Sequence, residues 1–321
     1  MLGRRTLLGT MALAAAAQRQ GHAQGQVAQG WVPQKPLQII VGFAPGGGSD
    51  IVARGVQQAA QELVPQPIVV VNRPGAAGVL AAQQVAQAVP DGHTLLVTGG
   101  SESTSVPHYR EVSYDPQRDF RHVILVARYP LVMLVKADSP FRTPQQLVAE
   151  ARRRPGQLTY GSSGVASLYQ SVFVVLGKRA GVEMLHVPYT GGAPALTAVA
   201  SGEVTCTVAT PDECKAMVEG GVLRPIGVAS RERFADYPHA PTLIESGWDV
   251  YMENLKGLSV PAATPAPVVA VLYDVFHRAL ATPTWRGFAQ RVGITTADKD
   301  GPAFTQDIQA MSDAIATAVK G

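Results

Sequence analysis

Short apolar runs alternate with amphipathic segments along most of this chain, and clusters of glycine, proline and small polar residues separate them. A short continuous apolar run is typical of a strand that is buried on both faces of a sheet. The pattern predicts strands at residues 37–43, 68–71, 94–98, 123–127, 131–135, 158–161, 184–187, 204–209, 223–228 and 257–260. Helical periodicity predicts helices at residues 51–63, 79–88, 144–153, 168–180, 194–201, 212–219, 268–281, 284–292 and 304–319.

This alternation of strands and helices predicts an α/β protein whose parallel-rich sheets are flanked by helices. Even without the leader segment described below, about 300 residues are too many for most single cores. We therefore predict two domains, one formed by residues 31–130 together with 251–321 and the other by residues 131–250. Two predicted strands, near residues 131–135 and 257–260, then cross between the domains, and two crossings predict a hinge.

The first predicted strand leads into a glycine cluster, FAPGGGSD at residues 43–50, and then into a helix. Glycine lets successive N–H groups converge, Ser49 or Asp50 can cap the helix, and a helix N-terminus favours an anion. A P-loop needs a lysine after its last glycine, and a dinucleotide fingerprint needs a glycine where Ile51 stands. The loop therefore favours an anion receptor over a nucleotide site, with an ordinary strand-to-helix turn as the alternative.

The N-terminus changes how the net charge is interpreted. Arg4 and Arg5 precede an apolar and small-residue run at residues 6–17, which predicts a secretory signal peptide over residues 1–23, with some likeness to a twin-arginine signal. Three of the 27 basic residues lie in this segment and none of the 24 acidic ones, so 27 − 3 = 24 basic residues remain against 24 acidic. This balance, without a basic stripe, argues against nucleic-acid binding, and the signal peptide predicts an exported protein.

Four further loops at the ends of predicted strands are rich in hydroxyl groups, small residues and free amides. In an open parallel sheet the ligand crevice lies at the carboxyl ends of the strands, and this composition suits carboxylate oxygens. Each loop alone is equally compatible with an ordinary capped turn. Together with the glycine cluster they predict these ligand-binding residues: Phe43, Ala44, Pro45, Gly46, Gly47, Ser49, Thr98, Gly99, Ser101, Ser162, Ser163, Gly164, Ser167, Tyr189, Thr190, Gly191, Gly192, Ala193, Thr210 and Asp212.

Catalytic patterns are weak in this chain. Both serine sites that approach the hydrolase elbow lack a required glycine, and the seven histidines show no zinc spacing. Glu102 and Asp212 are acids without an accompanying nucleophile or metal cluster, and Glu102 is interpreted as a ligand-selectivity residue or a solvated loop acid. We predict no catalytic, metal or cofactor site. Cys206 and Cys214 form either a disulfide or two buried thiols.

Seven motifs lie in order along the chain: FAPGGGSD at 43–50, NRPGAAG at 72–78, PDGHTLL at 90–96, YDPQRDF at 114–120, LTYGSSG at 158–164, HVPYTGGAPALT at 186–197 and PTLIESG at 241–247. They closely resemble the Bug family, the substrate-binding receptors of tripartite tricarboxylate transporters. The resemblance covers nearly the whole chain after the leader. It implies a two-domain periplasmic-binding-protein fold, type II-like, which closes around a small carboxylate held by backbone amides, hydroxyls and waters. The crevice loops contain no Arg or Lys, which agrees with that mode of binding.

The resemblance also implies a function. It implies a non-enzymatic, monomeric periplasmic receptor that carries a di- or tricarboxylate, an acidic amino acid or an aromatic acid to membrane permease subunits, or relays its presence to a sensor. The alternatives are an exported sensor or scaffold that uses the same cleft, and an exported enzyme on the same fold. The chain departs from the family pattern at His93, at Tyr169, in the loop at 98–112 and in TCTVATPDEC at 205–214, so a relative's ligand is not transferred to it.

Overall fold

Among the residues that the computed structural model describes, 30–320, the strands form two separate sheets. The six-stranded sheet contains β1 (Leu37–Val41), β2 (Ile68–Asn72), β3 (Thr94–Thr98), β4 (Phe120–Pro130), β10 (Glu253–Pro261) and β11 (Thr296–Asp300), in the order β11-β4-β10-β3-β1-β2. The five-stranded sheet contains β5 (Val132–Lys136), β6 (Thr159–Ser162), β7 (Leu185–Pro188), β8 (Cys206–Ala209) and β9 (Leu223–Val228), in the order β7-β6-β8-β5-β9. The predicted signal peptide lies outside the described residues.

Helices connect the strands. They are α1 (Gly48–Ala60), α2 (Val79–Ala86), α3 (Ser101–Thr104), α4 (Val106–Tyr109), α5 (Pro144–Arg153), α6 (Leu168–Ala180), α7 (Gly192–Ser201), α8 (Pro211–Glu219), α9 (Ala266–Leu280), α10 (Pro283–Val292) and α11 (Gly301–Lys320). Short 3₁₀ turns occupy Gln61–Leu63 and Ala76–Gly78. Each predicted strand and helix overlaps an observed one, which confirms the α/β class; β11 and the short helices α3 and α4 were not predicted.

Both sheets are mixed rather than purely parallel. β1 pairs in parallel with β2 and β3, and β6 pairs in parallel with β7 and β8. β10 is antiparallel to both of its neighbours in the larger sheet, and β5 is antiparallel to both of its neighbours in the smaller one. The carboxyl ends of β1, β3 and β6 remain available to place loops at a common crevice.

The C-terminal helix α11 completes the core. Phe304, Ile308, Met311 and Ile315 recur at helical spacing and are buried on one face. They belong to the same apolar core as the fully buried β5 residues, and α11 contacts both β4 and α6. One helix therefore packs against elements associated with both sheets.

The chain passes between the sheets twice, and the two passages lie side by side. β4 of the larger sheet continues into β5 of the smaller one through Leu131 alone. The N–H of Ala229, just after β9, donates to Leu131 O at 2.8 Å, and the N–H of Met252, just before β10, donates to Ala229 O at 3.1 Å. The division into two domains about these passages stays a prediction.

Candidate functional site

A small cavity lies where loops that follow β1, β3, β6 and β7 meet α8 and β10. Its lining combines predicted loop residues with side chains from α6, α8 and β10: Phe43, Ser49, Gly100, Ser101, Ser163, Tyr169, Gly192, Glu213, Asn254 and Lys256. The free space within it is about that of one water molecule. A larger open groove beside α5 and α6 is lined by none of the predicted ligand-binding residues.

The glycine loop, residues 43–49, is organised by an acid that does not cap the helix. α1 begins at Gly48 after Gly47, so the prediction that Ser49 or Asp50 caps it is wrong. Oδ2 of Asp50 accepts from Gly46 N–H and from Arg54 Nε, each at 2.9 Å. Burial raises the pKa of Asp50, but the hydrogen bonds, led by the one from Arg54, hold that pKa below its ordinary value. The Asp50 carboxylate is therefore already hydrogen-bonded within the loop and the start of α1.

A carboxylate of the chain itself lies at the start of α1. Oε1 of Glu213 accepts from Gly48 N–H at 2.5 Å, and its Oε2 accepts from the Tyr169 hydroxyl at 2.5 Å and from Thr210 N–H at 3.3 Å. The bond to Thr210 belongs to a capping box, in which an acid at the third helical position reaches back to the N-cap residue. The start of α1 is thus occupied by Glu213 of the chain, and binding of a ligand anion there stays a prediction.

Gly192, the first residue of α7, allows this close approach. A Cβ at position 192 would lie 2.5 Å from both carboxylate oxygens of Glu213, so only glycine fits there without displacing the acid. Three helix starts, those of α1, α7 and α8, therefore meet around one carboxylate. Converging helix N-termini favour negative charge at that point.

Lys256 of β10 is the second charged residue that the sequence did not predict. It is only 1% exposed, its Nζ donates to Thr210 Oγ1 at 3.0 Å, and it forms an ion pair with Asp212 at 3.2 Å. Nζ also lies 4.4 Å from the centre of the Tyr129 ring. A Cβ on Gly48 would fall 1.9 Å from Nζ, so a larger residue there would displace the Lys256 ammonium. The crevice loops themselves contain no Lys, as the sequence shows, and this cation comes from a strand.

The two loops that face each other across the cavity touch through their backbones. Ala44 N–H donates to Thr190 O at 3.3 Å, and a Cβ on Gly191 would lie 3.1 Å from Ala44 N. Gly46 also faces this loop, since a Cβ added to it would lie 4.0 Å from the methyl group of Ala193. Pro45, the residue before it, is exposed. The glycine loop and the loop at 189–193 are therefore closed on one another.

The loop after β3 is stabilised by hydrogen bonds of serine and threonine hydroxyl groups. Thr98 Oγ1 and Ser103 Oγ are 2.8 Å apart, and Gly99 N–H donates to Ser103 Oγ at 3.3 Å. Ser101 Oγ accepts from Leu168 N–H at 3.0 Å, which ties this loop to the start of α6. Of these predicted residues only Ser101 lines the cavity, next to Gly100.

Several predicted side chains have partners away from the cavity. The Tyr189 hydroxyl donates to Glu203 Oε1 at 2.7 Å, and burial together with that acid raises the pKa of Tyr189 to about 12. Ser162 Oγ is fully buried, lies 2.6 Å from His186 Nε2 and donates to the carbonyl of Gly164 at 2.9 Å. Ser167 accepts from the third N–H of α6 as its N-cap. These three side chains stabilise the loops and do not line the cavity, whereas their neighbour Ser163 does.

Comparison with known proteins identifies the type of protein. Residues 52–320 match the model of the tripartite tricarboxylate transporter family receptor. The chain belongs to this receptor family. A relative from Cupriavidus necator, the UPF0065 protein in the gbd 5' region, is 34% identical over 254 residues, which cover 79% of this chain and 77% of that protein. The family resemblance of the seven motifs is thereby confirmed.

Two solved structures resemble this receptor along their whole length. MatC (Rpa3494) from Rhodopseudomonas palustris with bound malate superposes with a TM-score of 0.85 at 27% identity and covers 89% of this chain and 99% of that one. R. palustris Rpa4515 with adipate gives a TM-score of 0.83 at 28% identity, with 90% and 98% covered. The fold of this receptor is that of the periplasmic binding proteins.

The two cysteines of the receptor are thiols rather than a disulfide. Cys206 and Cys214 are both buried and unbridged. Burial raises the pKa of both thiols, that of Cys214 to about 12. Within residues 30–320 no three His, Cys, Asp or Glu side chains are placed to hold a metal ion. In the same part of the receptor, no helix is both long and apolar enough to pass through a bilayer.

Glu102 of the receptor is buried, so its interpretation as a solvated loop acid is wrong. It is 2% exposed, and its Oε1 accepts from Gly100 N–H at 3.1 Å and from the Ser103 hydroxyl at 2.8 Å. Burial raises the pKa of Glu102, and these hydrogen bonds only partly oppose that effect. A role in ligand selectivity stays a prediction.

We expect Glu102→Gln to stabilise the receptor at pH 8 and to have little effect at pH 4. Because the pKa of Glu102 is raised by folding, the folded state holds its proton more tightly, and wild-type stability falls as pH rises above the ordinary carboxyl pKa. Glutamine does not titrate and escapes this loss. Melting temperatures at both pH values should show a gain of about 2–4 °C that is confined to pH 8.

Glu245→Gln is the control for this experiment. Glu245 is exposed, and the N–H of Thr242 together with Arg233 lowers its pKa, so folding favours its charged form. This variant should lose stability relative to wild type at pH 8 and not at pH 4, which is the opposite sign. A Glu102→Gln gain of equal size at the two pH values would contradict the expectation.

Proposed function

We propose that this receptor captures a small organic carboxylate in the cavity between its two sheets and delivers it to the permease subunits of a tripartite tricarboxylate transporter. The observation that supports this most directly is the placement of the Glu213 carboxylate. It is held by two N–H groups and one hydroxyl, with helix starts around it, and no cation of residues 30–320 donates a hydrogen bond to it. A site with these donors has the chemistry to hold the carboxylate of a ligand in the same way.

The relatives support the same class of ligand. MatC was solved with malate and Rpa4515 with adipate, and both compounds are small dicarboxylates. The proposal covers di- and tricarboxylates, acidic amino acids and aromatic acids. A sensor that reads the loaded receptor is an alternative partner to the permease.

Ligand entry requires the receptor to open. The cavity has room for about one water molecule, and the glycine loop and the 189–193 loop are in contact, so a ligand can enter only if these loops separate. The side-by-side passages at Leu131 and Ala229 supply a short hinge for such a motion. We propose that residues 31–130 with 251–321 move as one domain against residues 131–250.

We propose a periplasmic, monomeric and non-catalytic protein. The predicted signal peptide at residues 1–23 supports export. The acids that could act as general bases are already engaged, since Asp212 is paired with Lys256 and Glu102 accepts two hydrogen bonds. Turnover that is lost on replacement of either acid would favour an exported enzyme instead.

A ligand screen tests the proposal. Thermal-shift measurements and calorimetry of the mature protein with mono-, di- and tricarboxylates should show at least one compound that raises the melting temperature. A ligand at 100 times its Kd adds about 2.7 kcal/mol to the free energy of unfolding. Native mass spectrometry of freshly purified protein should reveal the mass of a carried acid. Binding only of sugars, cations or peptides would contradict the proposal.

A further inference from the structure

Glu213 places a negative charge in the cavity wall that no cation of the described chain balances. Its three hydrogen-bond donors are neutral groups, and it forms no ion pair with Lys, Arg or His among residues 30–320. Lys256 also lines the cavity, but it is paired with Asp212. One cation, Lys256, therefore stands beside two carboxylates, Glu213 in the cavity lining and Asp212 outside it, and this cluster of three residues carries one excess negative charge.

Asn254 adds an acceptor without a donor. Its side chain lines the same cavity, the residue is 8% exposed, and its carbonyl oxygen Oδ1 is buried with no hydrogen-bond partner. A buried acceptor left without a donor is unfavourable, so a donor on the ligand would recover free energy there. Asn254 and Glu213 line the same small cavity, and an amide oxygen and a carboxylate both accept hydrogen bonds from a donor group.

Glu213 is fixed mainly from one side of the cavity. The hydrogen bonds from Thr210 N–H and the Tyr169 hydroxyl come from α8 and α6, which belong to the smaller sheet and its helices. Only the bond from Gly48 N–H comes from the glycine loop. When the loops separate, the Gly48 bond breaks while Glu213 stays in place, and the start of α1 becomes free to bind another anion.

We infer that the ligand of this receptor carries an amino group in addition to its carboxylate, and that Glu213 is the residue that binds the ammonium. The inference rests on the proposed function and narrows it. The ligand carboxylate takes the position at the start of α1 that Glu213 fills in the closed structure, and the ammonium lies against Glu213 and the carbonyl oxygen of Asn254. A plain dicarboxylate would instead bring a second negative charge against Glu213.

Pairs of compounds that differ only in the amino group test the inference. Calorimetry of the mature protein with succinate against aspartate, glutarate against glutamate, and propionate against alanine measures the preference directly. In at least one pair the amino compound should bind about 10- to 100-fold more tightly, because a hydrogen bond between charged groups is worth about 1.5–3 kcal/mol. The direction of the preference is the same in any pair that binds.

Glu213→Gln isolates the charge. Glutamine also serves at the third position of a capping box, so this variant keeps the hydrogen-bonding shape of the helix start. It should reduce the amino preference about tenfold or more. Glu219→Gln is the matched control, because it makes the same change of charge at an exposed position of α8 and should leave the preference unchanged.

The outcomes separate the two proposals. Equal binding of both members of every pair, or an amino preference that Glu213→Gln does not alter, would overturn the inference and leave the carboxylate receptor standing. If none of the six compounds binds, the inference fails, whereas the proposed function is decided separately by the wider carboxylate screen.

Discussion

Lys256→Met should lower the free energy of unfolding by about 3–5 kcal/mol, the range found when one partner of a buried ion pair is removed. Methionine leaves the Asp212 carboxylate buried without its cation, and Thr210 Oγ1 loses its donor. The side chains of Lys256 and Asp212 are only 2% and 0% exposed, so bulk water does not solvate the unpaired carboxylate. Chemical denaturation with urea measures the difference.

Two further variants identify the cause. The double variant Lys256→Met with Asp212→Leu removes both charges and should recover most of the loss, because apolar pairs of similar size often replace buried ion pairs without cost. Lys299→Met breaks a pair with Asp307 in which the lysine side chain is 40% exposed, and it should cost less than about 1 kcal/mol. A double variant as unstable as Lys256→Met would show that the fit of methionine, and not the unpaired acid, is responsible.

Gly257→Ala should destabilise the receptor by about 3 kcal/mol, at the upper end of the usual cost of overpacking. The new Cβ would lie 2.3 Å from the carbonyl oxygen of Ile124 and 2.3 Å from the ring of Phe304. The ring can shift, but the carbonyl belongs to β4, which pairs with β10 at this point and is fixed by the sheet. The strands must therefore move apart, and their pairing weakens.

Gly287→Ala is the matched control for this variant. Gly287 lies inside α10, and a Cβ there meets nothing within 4 Å. Alanine should stabilise the helix by about 0.5–1 kcal/mol, since glycine is the poorer helix former. Opposite shifts of the urea midpoint are expected for the two alanine variants. A Gly257→Ala midpoint close to that of wild type would contradict the close approach of β4 and β10.

The elements that could be predicted from the sequence are those whose burial is continuous. β3 and β9 have the predicted bounds because their apolar runs end where the strands end. β11, with the sequence TADKD, alternates exposed and half-buried positions at the edge of its sheet and gives no apolar signal. The helices α3 and α4 are four residues each, which is too short for a helical period to be recognised.

The candidate site was predictable as a set of loops and not as a set of charges. Glycines and hydroxyls at strand ends are visible in the sequence, and the structure brings those loops together around one cavity. Glu213 is separated from its partner Gly48 by 165 positions, so its placement depends on how two sheets pack. The pattern from Thr210 to Glu213 could have suggested a capping box, and hence an acid at this helix start. Lys256 lies in β10 together with the polar residues Glu253, Asn254 and Ser259, and nothing local indicates that its side chain is buried.

The position of β10 bears on how the protein reaches its folded state. β10 lies between β4 and β3, yet it follows the whole five-stranded sheet in sequence. Until it is present, β4 has no link through the sheet to the β3-β1-β2 group, and Lys256 is not there to neutralise Asp212. Such pairing between distant segments slows folding. The smaller sheet can assemble from contiguous chain, whereas the larger sheet and the cavity form only after the last quarter of the polypeptide has emerged.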